Sequence, residues 1–285
     1  MANIEIISPG FYTSVQDLGR FGIAGFGVPQ AGVMDSFSAK KANLLLGNKP
    51  NDAVLEITFS GPKLRFSTQT TICVCGAAFE LRCNGERFEN DKPYVVNPGD
   101  QLDFGALKVG FRAYLAISGG INTPLILNSR SQYAGITSDF RLKKGAILPL
   151  FDLKPTFPNT SARVQFENKE GKDKSIEVIP GPEYDLLQSE QKRQLFETPF
   201  TLLPTSNRMA IQFKEEIRNS LEGITTSVTM PGTVQLTPQG KLLVLMRDCQ
   251  ITGGYPRILQ LNEMGINTIS QQMPGKSITF KMSVK

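Results

Sequence analysis

Apolar runs along most of this chain are no longer than a short strand. Ala53 to Phe59 (AVLEITF), Thr70 to Cys75 (TTICVC), Ala78 to Arg82, Tyr94 to Val96, Leu107 to Val109 and Arg112 to Ile117 are rich in β-branched or aromatic residues. Gly, Pro, Asn or Asp bound them. Side chains of that shape pack well on a pleated, half-buried surface. Asn84-Gly85 separates FELRC from ERF, and both residues tolerate the positive φ that a two-residue hairpin turn demands. Asn97 to Gly105 (NPGDQLDFG) reads as another turn followed by a strand. Many of the 26 glycines and 18 prolines fall at such joints. The expectation is a mainly β fold with frequent turns and a few helices.

Helical spacing is confined to a few segments. Asp35 to Leu46 (DSFSAKKANLLL) has Asp35 or Ser36 as N-cap and Gly47-Asn48 as its stop. Pro182 to Phe196 (PEYDLLQSEQKRQLF) opens with Pro, carries acids in its first turn and keeps helical period. Glu215 to Leu221 is a weaker third. From Pro149 to Ile176 the chain turns polar and charged, with two prolines early, as a linker would. Strand-rich sequence lies on both sides, so two β-domains are expected: residues 1–150 and 177–285, joined by 151–176.

Histidine is absent from the 285 residues. A Ser-His-Asp or Cys-His nucleophile is therefore excluded, and no imidazole is present to bind zinc. The four cysteines form no C-x-x-C pair, and three sit in strand-like runs as small buried hydrophobes do. No metal site is expected. Chemistry here falls to carboxylates, Lys, Arg, Tyr, hydroxyls or backbone amides. The net charge of +5 is spread along the chain among acidic residues rather than gathered in a basic stripe. Nucleic acid is therefore not an expected partner. No window approaches the ~18 uninterrupted apolar residues of a membrane helix, and MANIEIISPG lacks a basic start and an apolar signal core. A cytoplasmic protein is expected.

Four stretches gather polar residues around bare backbone. Phe11 to Asn43 is studded with glycine and contains Asp17 and Arg20, but it matches no nucleotide-binding pattern. Asp17 and Arg20 suit either a turn-internal pair or a site. Leu115 to Ile136 runs through Gly119-Gly120 to Ser129, Arg130 and Tyr133, and suits a close ligand approach or a tight turn. In Ser206 to Phe213 (SNRMAIQF), Arg208 is placed to clamp an anion or to make a rim ion pair. Asp248 to Ile258 (DCQITGGYPRI) follows Arg247. It packs Gln250, Thr252, Gly253, Gly254, Tyr255 and Arg257 around a turn that needs only its glycines. A small polar ligand and an edge-strand turn both account for it.

In this order, YTSVQDLGRFG, GVPQAGVMDSFSAKKANLLLGN, LEITFSGPKLRF, YLAISGGI with NSRS, IPGPEYD, SNRMAIQF and GTVQLTPQGKLLVLMRDCQITGGYPRI resemble the allophanate hydrolase subunit 2, or biotin-dependent carboxyltransferase-type, family. The resemblance implies two cyclophilin-like β-barrel domains. It also implies a B-type partner, related to allophanate hydrolase subunit 1. Stand-alone bacterial members work with the B-type partner and a third, A-type one to hydrolyse 5-oxoproline to glutamate using ATP. Fused members carry out the carboxyl transfer of urea carboxylase. Others are described as antagonists of a sporulation kinase inhibitor that act by binding.

No biotin-carrier region is evident, so a role within 5-oxoprolinase is the expected function. Carboxyl transfer and antagonism by binding are the alternatives. ATP is expected in the complex, on a component the sequence does not identify. For this chemistry the residues suggest Asp248 or Asp17 as base. Arg208, Arg247 or Arg257 would balance carboxylate or phosphate charge, and Arg20, Arg130 and Thr252 are further substrate-binding candidates. Gln250 and Tyr255 would orient the carbonyl, and the Gly253 and Gly254 amides would face a developing oxyanion.

Overall fold

A computed structural model describes residues 2–151 and 175–283. The chain divides into two compact units. The first comprises residues 1–20 and 31–167, and the second 21–30 and 168–285, so far as these are described. The segment Phe21–Gln30, which the sequence places with the first domain, goes with the second. Most of the 151–176 linker lies outside the described residues, and Ser175 already begins a strand.

The first unit strings together β1 (Asn3–Ser8), β2 (Tyr12–Gln16), α1 (Ser36–Leu45), β3 (Val54–Thr58), β4 (Lys63–Phe66), β5 (Thr70–Cys83), β6 (Glu86–Phe88), β7 (Tyr94–Val96), β8 (Gln101–Ile117) and β9 (Ile147–Pro149). Its sheet runs β2-β3-β8-β4-β1-β9, with β5 also paired to β8. Several short runs fuse here. Thr70–Cys75 and Ala78–Arg82 become the single strand β5, and Asn97–Gly105, Leu107–Val109 and Arg112–Ile117 feed β8. Register shifts near Gly76 and Phe79 bend the β5–β8 pair, as bulges do, and the sheet curls into a barrel-like form. The Asn84-Gly85 turn is present, with φ of 51° and 90°.

Alternation along these strands sorts the side chains. One face sends Val15, Leu55, Ile57, Ile72, Val74, Leu115 and Ile117 into the core. The other face places Val54, Cys73, Cys75, Tyr114 and Ala116 beneath α1, against its Ala39 and Ala42. Each large apolar side chain so buried stabilises the unit by about 1.5–3 kcal/mol. Asp35 caps α1 as expected: its carboxylate accepts from the Ser38 N–H at 3.1 Å and the Ser38 hydroxyl at 2.6 Å.

The second unit contains β10 (Ser175–Pro180), α2 (Ser189–Glu197), β11 (Phe200–Thr201), β12 (Ala210–Glu216), β13 (Ser227–Val228), β14 (Thr233–Leu236), β15 (Lys241–Leu245), β16 (Thr252–Gly253), β17 (Arg257–Leu261), α3 (Glu263–Ser270) and β18 (Ser277–Met282). Its main sheet runs β11-β18-β10-β17-β14-β15-β12, and β13 pairs with β16 separately. Phe200, Phe213 and Phe280 meet in its core with centroids 5.6–6.1 Å apart.

Three helix expectations change. The Pro182–Phe196 helix breaks where Leu187 takes ψ of 138°, leaving a short 3-10 turn and then α2. Glu215–Leu221 is not a helix. Glu215 lies near the end of β12 in extended form, and its carboxylate accepts from Thr201. Finally, α3 forms in a segment where the sequence suggests no helix. The mainly β expectation in two barrel-like units holds. Among the described residues no helix is long and apolar enough to cross a membrane.

Candidate functional site

In the first unit, the adjacent ends of β2, β3 and β8 meet. Asp17 follows β2, Asp52 and Ala53 precede β3, and Gly120 and Ile121 follow β8. With Asn51, Leu125, Asn128, Arg130 and Phe151 they line a cavity of about 190 Å³. A tight turn at Leu127-Asn128 forms one wall. Both residues have positive φ (51° and 60°), and Ile126 and Ser129 exchange backbone hydrogen bonds across them. That geometry is costly for leucine, and it delivers Ser129 and Arg130 to the cavity edge.

Asp17 organises this edge. Its Oδ1 accepts from the Ser129 hydroxyl (2.6 Å), the Ser131 hydroxyl (2.6 Å) and the Gly19 N–H (2.8 Å). Its Oδ2 accepts from the Arg130 N–H at 2.7 Å. A carboxylate with four donors is a scaffold that fixes a loop; three of them crowd Oδ1, while Oδ2 takes one and keeps a lone pair. Asp17, suggested as a base, holds the loop through these four bonds. Arg20 is buried and donates to the Ser131 carbonyl, so it locks the same loop from the other side.

Arg130 differs from the other arginines singled out in the sequence. Its guanidinium lies 5.1 Å from the centroid of the Phe151 ring, and no described carboxylate pairs with it. In the second unit, Arg208 and Asp248 form a bidentate pair at 2.8 and 2.9 Å, both largely buried. Arg247 is paired with Glu263. Arg257 grips Glu183 through Nε and Nη2, at 3.0 and 2.8 Å, and also donates to the Val228 carbonyl. Each of these three cations is already held by a carboxylate. Asp248, suggested as a base, is the acceptor of a buried ion pair.

Around that turn, Thr252 and Gly253 form the ribbon strand β16 against Ser227 and Val228. The Gln250 carbonyl accepts from the Thr229 hydroxyl at 2.5 Å. The Gly254 carbonyl accepts from the Ile224 N–H, and Tyr255 is exposed. An added Cβ at Gly253 would sit 2.8 Å from the Gln235 amide nitrogen, so that buried side chain would have to shift. Several of the polar groups noted in the sequence here have partners within this unit.

Sequence reasoning missed a buried polar row across β2, β3 and β8. Ser14, Glu56 and Tyr114 are cross-strand neighbours on β2, β3 and β8. Glu56 Oε2 accepts from the Met34 N–H at 2.6 Å and the Tyr114 hydroxyl at 3.0 Å. That hydroxyl in turn accepts from the Asp35 N–H at 2.8 Å. Burial pushes the Tyr114 phenol well above its ordinary range, and Glu56 and Asp35 push it further, so it stays a donor. The available signal was a lone glutamate inside the apolar run VLEIT.

The carboxyltransferase domain family, subdomains A and B, matches residues 26–282. The chain belongs to this family. It is 30% identical to the C-type subunit of 5-oxoprolinase from Haemophilus influenzae, over 98% of this chain and 90% of that protein. It is 47% identical to the urea amidolyase of Lachancea kluyveri, over 46% of this chain but only 7% of that protein. The solved structure of TTHA0988 superposes with a TM-score of 0.88 at 26% identity, covering 99% of this chain. The chain spans about half the length of that structure, 55%.

Proposed function

We propose that this chain is the C-type subunit of an ATP-dependent 5-oxoprolinase, opening 5-oxoproline to glutamate together with A- and B-type partners. One observation carries the reading: the likeness to the C-type subunit of 5-oxoprolinase runs nearly end to end on both chains. Opening the lactam breaks a resonance-stabilised amide, and ATP supplies the driving force. The first-unit cavity is smaller than the ~300 Å³ at which pockets for larger ligands begin. It also carries two carboxylates, Asp17 and Asp52, beside one guanidinium, a poor match to a triphosphate. The reading therefore places ATP on a partner, and this chain helps to hold the lactam.

Carboxyl transfer is the second reading, and the higher local identity to urea amidolyase favours it. The two separate in one assay. The assembled complex is given 5-oxoproline with ATP, or urea with a carboxylated biotin carrier. We expect glutamate in the first arm and no carboxyl transfer in the second. Transfer to urea without lactam opening would reverse the assignment.

A further inference from the structure

We infer that the first-unit cavity binds a small carboxylate that also carries an N–H donor, with Arg130 taking the carboxylate and Asp52 taking the N–H. For the physiological ligand, 5-oxoproline, this rests on the proposed function. The site itself rests on the geometry.

The cavity volume of about 190 Å³ is several times the ~30 Å³ share of one water, the scale of a small acid or amide. Its floor is open because residue 120 is glycine. An added Cβ there would lie 3.5 Å from Asp52 Cβ and 3.9 Å from the Phe151 ring, filling the space between the two ends of the site. The positive end is the Arg130 guanidinium. Phe151 supports it from one face, and its backbone is fixed by Asp17. A stacked, preorganised fork suits bidentate carboxylate recognition.

The negative end is Asp52. Its Oδ2 accepts from the Lys49 N–H at 2.9 Å, and Oδ1 has no protein donor among the described residues. Asp17 also lines the cavity, but four donors already hold its carboxylate, whereas Asp52 accepts one. Asn51 keeps its carbonyl on the Leu18 N–H and so offers its NH₂. A ligand with one anionic end and one donating end satisfies both poles. Urea has donors but no anion and leaves Arg130 unanswered, so the cavity selects against it.

The test uses titration calorimetry on the full chain and on the assembled complex, with 5-oxoproline, 2-pyrrolidone and urea as probes. 2-Pyrrolidone is the same lactam without the carboxylate. Arg130→Gln should weaken 5-oxoproline about ten- to a hundredfold, the value of a charged hydrogen-bond pair, and leave 2-pyrrolidone unchanged. Leu125→Trp, at an exposed lining position, should block both lactams. Arg130→Gln should melt as the wild type does, since its guanidinium touches the Phe151 ring rather than a carboxylate.

Unchanged 5-oxoproline affinity in Arg130→Gln, or no binding to either chain or complex, would overturn the site. Binding at Arg130 with no glutamate released by the complex would sink the enzymatic reading and leave the site standing. Glutamate release by the Arg130→Gln complex with unaltered KM would do the opposite.

Discussion

Glu183 and Arg257 meet across 74 residues of sequence, and no local pattern announces the pair. The Arg257 guanidinium, against partial desolvation, holds the Glu183 carboxyl below its usual range. A depressed folded-state value means the stabilisation is complete above the unfolded value, about 4.3. It is lost as pH falls through the lower folded value. Glu183→Gln is therefore expected to cost about 1–3 kcal/mol at neutral pH and to flatten the acid limb below about pH 4. Denaturant melts from pH 7 to 3 would check both effects. Tyr114→Phe removes the hydroxyl shared by Glu56 and the Asp35 N–H. It should cost about 1–3 kcal/mol, read from the same melts. At this scale the sequence exposed the right residue types but not their partners. Arg208, Arg247 and Arg257 were legible as conspicuous cations, yet Asp248, Glu263 and Glu183 claim them. Of the arginines singled out, Arg130 is the one that lines the cavity.

At the scale of elements, the strands were legible because alternation and turn residues are local. So was α1, whose Asp35 cap and glycine stop are adjacent to it in sequence. The α3 helix was not. Gly265 and several β-branched residues lower its intrinsic propensity, and packing supplies what propensity lacks. An added Cβ on Gly265 would lie 3.1 Å from Ile176 and 3.3 Å from Leu261, so glycine lets the helix pack closely there. A cap residue does stand at its start: Asn262 Oδ1 accepts from the Gly265 N–H at 2.8 Å. The β2–α1 segment depends on another glycine. Gly32 has φ of 91°, and a Cβ there would lie 2.8 Å from the Leu18 carbonyl carbon and Gly19 nitrogen. That backbone cannot yield cheaply. Gly32→Ala should destabilise by about 3 kcal/mol, seen as a lowered unfolding midpoint, whereas Gly85→Ala meets nothing within 4 Å and carries only the strain of its positive φ.

For the whole molecule, the division into two β units was legible from the polar break near residue 150 and the strand-rich sequence on each side. The transfer of Phe21–Gln30 to the second unit was not, because tertiary contacts alone decide where a glycine-rich segment goes. The candidate site was half legible. Asp17, Gly120 and Arg130 stood out in the sequence, while Asp52 and Phe151 join them only once β2, β3 and β8 are set side by side. If this chain is a necessary part of a lactam-opening complex, omitting it must stop the reaction. The most direct measurement is glutamate release from 5-oxoproline and ATP by this chain with the proposed A- and B-type partners, each omitted in turn. Glutamate is expected only from the complete mixture. Undiminished release when this chain is left out, or none from a stably assembled complex, would contradict that role.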